Sequence, residues 1–231
     1  MIDEENVEKT REYFDSNPEH YKNAAESYPI MYTESAKRID AYVSGSVLDI
    51  GSGGVVNYDI HKAKKLVLAD IAAVNAKAPA KHVSFVVGDV RKLEMKKDSF
   101  DSVIMQHLLH HLAGDTLHET LDNLHAGFRE CFHVLKKGGR VLIIEGVVPL
   151  PFDYLQRFLF PLNKHLYKLL FNFPMVLQYS EKTVVAALEK AGFHVEVTET
   201  VPDGDVLPIF GMDIPRRFVP IRHRFIVALK Q

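Results

Sequence analysis

Five short apolar runs recur between residues 46 and 145, and four of them end on a glycine or a carboxylate. They are Ser46–Ile50, Leu66–Asp70, Val83–Val87, Asp101–Met105 and Arg140–Glu145. Runs this short and this apolar read as strands buried on both faces, the habit of parallel sheets. Parallel neighbours cannot be joined by a hairpin; each pair needs a crossover, usually helical. The stretch from about Thr116 to Leu135 supplies one, with Leu117, Leu121, Leu124, Phe128, Phe132 and Leu135 at helical spacing. Lys136-Lys137-Gly138-Gly139 provides its basic last turn and its stop. The expected architecture is α/β, with a mostly parallel sheet and helices on both faces.

The flanks complete a single domain spanning 1–231. Residues 3–26 and Pro29–Val43 read as helices separated by the turn signal Asn17-Pro18. Residues 1–45 are thus N-terminal helices lying against the sheet and over its ligand. Residues 149–178 break the alternation as a helical cap insert. It follows the fifth strand, so it is expected to rise from the ligand edge and roof the pocket. Its Phe152, Tyr154, Phe158, Phe160, Leu166, Tyr167, Leu170, Phe171 and Phe173 suit an apolar or aromatic ligand, cap packing or a dimer interface. Arg157, Lys164 and Lys168 also permit a weak membrane-surface contact. After a helix at Glu181–Ala191, His194–Val201 and Arg222–Leu229 read as an antiparallel pair of edge strands. The link 202–221, with four prolines, reads as an irregular loop.

A net charge of −2 and a pI near 6.6 give no reason to expect a nucleic-acid partner. The lone Cys131 excludes an internal disulfide and paired-thiolate zinc. No apolar run reaches membrane-spanning length, and no secretory signal opens the chain. The chain reads as cytoplasmic, a monomer or a homodimer.

The run Val47-Leu48-Asp49-Ile50-Gly51-Ser52-Gly53-Gly54 carries a strand into a glycine-rich turn, where backbone can approach a ligand closely. Asp49, before the first glycine, favours a ligand with a cationic end or orients the loop. Asp70 ends the second strand about twenty residues later, where a carboxylate can accept from ribose hydroxyls. Asp89, after Gly88 at the third strand end, can accept from an adenine amine.

These motifs, with FDSVIMQHLLHHL and VLKKGGRVLIIEG, resemble the class I S-adenosylmethionine (SAM)-dependent methyltransferases of small molecules over residues 46–145. The resemblance implies a Rossmann-like, seven-stranded sheet whose last strand is antiparallel, and SAM as cofactor. It implies that Gly51 and Gly53 line the methionine part, that Asp70 meets the ribose and that Asp89 and Val90 meet the adenine. Met105 and Gln106, just past the fourth strand, would meet the amino-acid end through backbone atoms. Ser52, Ile71, Gly88 and Tyr21 complete the candidate cofactor contacts. One departure stands out: Val55 occupies the third glycine position of the family's loop, with Gly54 one place early.

His107, His110 and His111 share a face if QHLLHHL is helical. Each is a candidate acid or base for a substrate hydroxyl or amine, or else packs and caps. Glu145, at the same edge, orients substrate or a histidine, or stabilises a turn. No acidic residue completes a metal set beside them. The expected function is methylation of a hydrophobic or aromatic small molecule, natural-product or quinone-like. A cyclase or isomerase using SAM structurally, and a non-catalytic partner-binding protein, are the alternatives.

Overall fold

The computed structural model describes residues 4–73, 78–170, 174–209 and 212–231. The apolar runs become β1 (Gly45–Ile50), β2 (Ala63–Asp70), β3 (Val83–Val87), β4 (Phe100–Gln106) and β5 (Leu135–Val147), all parallel. Then follow β6 (Phe193–Thr200), a small hairpin of β7 (Val206–Ile209) and β8 (Met212–Pro215), and β9 (Arg222–Lys230). Among the described residues, seven strands form one sheet in the order β3-β2-β1-β4-β5-β9-β6. Only β9 is antiparallel within it, and it pairs with both β5 and β6. Its first residues therefore lie at the edge where β1 to β5 end.

Successive strand residues face opposite sides, and both sides are buried. Leu48, Ile50, Val67, Val103, Met105, Val141 and Ile143 pack under α4 (Leu117–Val134) and α7 (Glu181–Lys190). Val47, Leu66, Leu68, Ile104, Leu142 and Ile144 pack on the other side with Met31 and Ile39 of α3 (Pro29–Asp40). The remaining helices are α1 (Glu4–Ser16), α2 (His20–Ser27), α5 (Leu150–Phe158) and α6 (Phe160–Leu170). No helix among the described residues is long and apolar enough to cross a membrane.

Three local expectations change. Asn17-Pro18 breaks residues 3–26 into α1 and α2, and a second break at Tyr28 starts α3. The proline-rich 202–221 link contains the β7–β8 hairpin; prolines at positions 208 and 215 are tolerated because this ribbon has only edges. The β1–β2 crossover holds a short 3-10 turn, Ile60–Lys62, and no α-helix, and none is described between β2 and β3. The glycine-rich turn thus leads into a loop, and anion capture at a helix N-terminus is not its chemistry.

Candidate active site

A cavity of about 420 Å³ opens at the carboxyl edge of the sheet. Strand tips form its floor: Ile50 and Gly51 at the end of β1, Asp70 and Ile71 at the end of β2, Gly88 to Arg91 after β3, Gln106 at the end of β4 and Glu145 on β5. Its roof comes from Thr10 and Phe14 of α1 and from Tyr28, Met31 and Tyr32 at α3. The α1 helix is fastened there by Arg11 Nε donating to the Ile71 carbonyl at 3.2 Å and by the Ala73 N–H donating to Asp15 at 2.8 Å.

Gly51 adopts φ +81°, and a Cβ there would sit 2.9 Å from Leu108 Cδ1, so only glycine serves without a shift. Asp70 holds the turn in place. Its Oδ2 accepts from Gly53 N–H at 2.7 Å and its Oδ1 from Ala72 N–H at 2.9 Å, and the side chain still faces the cavity. Asp49 is fully buried beneath the turn and accepts from the Tyr58 hydroxyl at 2.7 Å. Burial pushes its carboxyl up to about 7, against the hydrogen bond from Tyr58 and with help from Asp70. Asp89 is clasped by Arg91, whose Nε and Nη2 lie 2.9 and 2.6 Å from its two oxygens.

The other half of the cavity is built from histidines. β4 stops where His107 turns to φ +51°, and a 3-10 turn, Leu109–His111, follows. The three histidines of the QHLLHHL run are therefore not on one helix face; a strand end and a tight turn bring them to the same cavity. His110 Nδ1 lies 2.8 Å from Glu145 Oε1. Glu145 is almost wholly buried and also accepts from the Leu109 and Gly146 N–H groups at 2.8 and 2.9 Å. Burial raises its affinity for a proton, but the His110 charge and hydrogen bond, His107 and the Leu109 N–H outweigh this and hold it below the usual range. His111 packs edge-on against Phe14 at 5.3 Å between centroids. His107 reaches Met31 Sδ at 3.2 Å, and burial first, then His223, lowers its pKa to about 3.

His223 was not expected at this site. It opens β9 next to Gly146, its ring 5.3 Å from that of His107, and its Nδ1 lies 2.7 Å from Asp203 Oδ2. Arg216 Nε donates to the other oxygen of Asp203 at 2.7 Å. Burial pulls the Asp203 carboxyl upward, yet His223 and Arg216 outweigh it and leave it below the usual range.

A family model described as a methyltransferase domain matches residues 48–143. No curated protein matches the chain. The fold is similar to that of 1,6-didemethyltoxoflavin-N1-methyltransferase of Burkholderia thailandensis, solved with its substrate and S-adenosylhomocysteine: TM-score 0.67, 15% identity, covering 99% of this chain and 90% of that one. Residues 48–143 thus match a methyltransferase domain, and the fold is one shared with this solved methyltransferase. The same fold occurs in a chain of the complex between the Haloferax volcanii Trm112 methyltransferase activator and a methyltransferase (TM-score 0.68, 17% identity, covering 96% and 97%). It also occurs in the [4+2]-cyclase SpnF (TM-score 0.58, 14% identity, covering 87% and 79%).

Of the residues singled out from the sequence, Gly51, Ser52, Asp70, Ile71, Gly88, Asp89, Val90, Gln106, His107, His110, His111 and Glu145 all line the cavity. Asp49, Gly53 and Met105 do not. Asp49 is spent on Tyr58, and Gly53 turns its N–H to Asp70. Met105 is the last but one residue inside β4 and packs in the core, because the strand runs one residue further than the sequence suggested. Tyr28 lines the cavity, whereas Tyr13 does not, and the Tyr21 side chain lies outside the described residues.

The insert is helical as expected, but none of its described aromatic residues reaches the cavity. Phe160 is buried in the core, while Phe152, Tyr154 and Phe158 are exposed; Phe171 and Phe173 lie outside the described residues. A clasp explains this placement. Buried Asp153 of α5 bonds Arg157, the Ser180 N–H and the Thr183 hydroxyl, which ties the insert to the start of α7 rather than over the strand tips.

The residues present fit SAM. Open space lies beside Gly88, where a Cβ would meet nothing within 4 Å, and Ile71 and Val90 line the same cavity. Asp70 and Asp89 line the same cavity and set carboxylates beside that space.

Proposed function

We propose that the domain methylates an O–H or N–H group of a hydrophobic, aromatic small molecule, with His110 as the base and Glu145 fixing it. The observation that carries this reading is that the His110–Glu145 pair and the candidate SAM contacts line one cavity. When bound, SAM supplies a methyl group on a sulfonium sulfur. The chain's part is to place the acceptor and remove its proton. An ionised Glu145 can only accept, so Nδ1 of His110 carries its hydrogen toward it and Nε2 of the neutral ring has a lone pair for the acceptor's proton. The imidazolium so formed is stabilised by the buried carboxylate. His107, whose lowered pKa keeps it neutral, and His111 against Phe14 shape the walls.

The preference for an aromatic substrate is supported by Phe14, Tyr28, Met31 and Tyr32 of the N-terminal helices, in place of the insert. Incubation with methyl-labelled SAM and hydrophobic phenols or amines tests the reading. Labelled product with release of S-adenosylhomocysteine supports it; SAM binding without any transfer counts against it. A second reading, a cyclase or isomerase with SAM as a structural element, is favoured by the likeness to the [4+2]-cyclase SpnF. Product formed without S-adenosylhomocysteine would select it.

A further inference from the structure

The substrate half of the cavity contains a second histidine–carboxylate pair that methyl transfer does not require. His223 and Asp203 repeat the chemistry of His110 and Glu145 on a different strand, and Arg216 anchors the carboxylate from behind. In both pairs the carboxylate accepts the Nδ1 hydrogen, so in the neutral form of either ring Nε2 is an acceptor. Neither Nε2 has a protein partner among the described residues, and both rings line the cavity. The lining offers no spare cation to balance them. Arg91 is its only Lys or Arg side chain among the described residues, and it is spent on Asp89.

A site with two imidazole acceptors and no unpaired cation disfavours an anionic ligand and rewards one that brings its own hydrogens. We propose that the substrate is a neutral aromatic carrying two O–H or N–H groups, and that His223 is the specificity-determining residue that accepts a hydrogen bond from the second. This rests on the methyltransferase reading for the identity of the site, and assigns His223 no part in the transfer itself. The group bonded to His110 is methylated; the group bonded to His223 sets the molecule's orientation. A buried acceptor left unmatched penalises a molecule that lacks its partner, which is how polar sites discriminate strongly.

The test uses three probes of one ring size: 2,3-dihydroxynaphthalene, 2-naphthol and 2-naphthoate. Each is titrated calorimetrically into the full chain saturated with S-adenosylhomocysteine. The dihydroxy probe is expected to bind at least tenfold more tightly than naphthol, and naphthoate most weakly. In His223→Phe the ratio between the first two falls toward one, whereas His223→Gln, which retains an acceptor, recovers part of it. Asp203→Asn also lowers the ratio by freeing the ring. Thermal unfolding of each variant shows that the fold persists. Equal binding of the first two probes, tightest binding of naphthoate, binding of none, or an equal loss of both affinities in His223→Phe would each overturn the proposal. These titrations need no turnover, so a failure of methyl transfer in the labelled-SAM assay is read separately.

Discussion

The Gly53 N–H donates to Asp70 Oδ2 across 2.7 Å, which joins the glycine-rich turn after β1 to the tip of β2. One carboxylate thus sets the loop and faces the cavity. Asp70→Asn presents an amide hydrogen to one of two buried N–H groups. A loss of about 1–3 kcal/mol in stability is expected from the unmatched donor. Urea unfolding without ligand measures it.

Glu145→Gln should slow turnover more than it weakens binding. The amide can no longer accept at both oxygens, and His110, Leu109 and Gly146 all donate there. Loss of the ring's orientation and of the charge that supports an imidazolium predicts a drop of about 10²-fold or more in kcat. Steady-state kinetics with labelled SAM checks this, with KM changing much less.

Two buried groups pull stability in opposite directions with pH. His107 has a folded pKa of about 3 against an ordinary 6.5, so the unfolded chain binds the proton first. Its contribution is complete above about 6.5 and is lost as pH falls toward 3. Asp49 is raised to about 7 from 3.8, so its contribution is complete below 3.8 and is lost as pH rises through 7. Between pH 5 and 6.5 the two slopes oppose one another. His107→Gln leaves the Asp49 slope exposed, and stability then falls as pH rises. Each group contributes at most about 1.4 kcal/mol per pH unit. Unfolding free energies at several pH values in that window measure the change.

The turn spends its left-handed conformations at Gly51, Gly53 and Gly54, and Val55 is not among them. Its N–H closes the turn on the Ser52 carbonyl at 2.9 Å. The glycine missing from the family pattern is therefore not missing from the geometry; Gly54 serves one place earlier, at φ +79°. Gly54→Ala should cost about 1–2 kcal/mol for a Cβ in that region. Val55→Gly should cost less than 1 kcal/mol, about what added chain entropy takes. Melting curves of the two variants order them.

The succession of strands and the edge that carries the cavity were legible because β1, β2, β4 and β5 are apolar and largely buried, and Gly51, Asp70, Gly88 and Glu145 mark the strand ends. The rest of the site was hidden for physical reasons. Ligand residues were sought at strand ends, but β9 runs the other way, so His223 at its start is the one that reaches the cavity. Its partner Asp203 sits in a proline-rich link with no periodicity to read. The aromatic insert looked like a roof because its composition is apolar, whereas its position depends on Asp153 reaching Ser180 and Thr183, a long-range clasp no local pattern reveals. The histidine cluster was recognised, but a positive φ at His107 and a 3-10 turn assemble it, not a helix face.

The most direct test is whether the cavity beside Gly88 is where the nucleoside goes. A Cβ at this position meets no atom within 4 Å, and Gly88 does not need a left-handed backbone. Calorimetric titration of S-adenosylhomocysteine should show micromolar binding to the wild-type chain. Gly88→Leu, with its unliganded melting temperature unchanged, should bind at least tenfold more weakly. No binding to the wild type, or equal binding to both, would contradict the account.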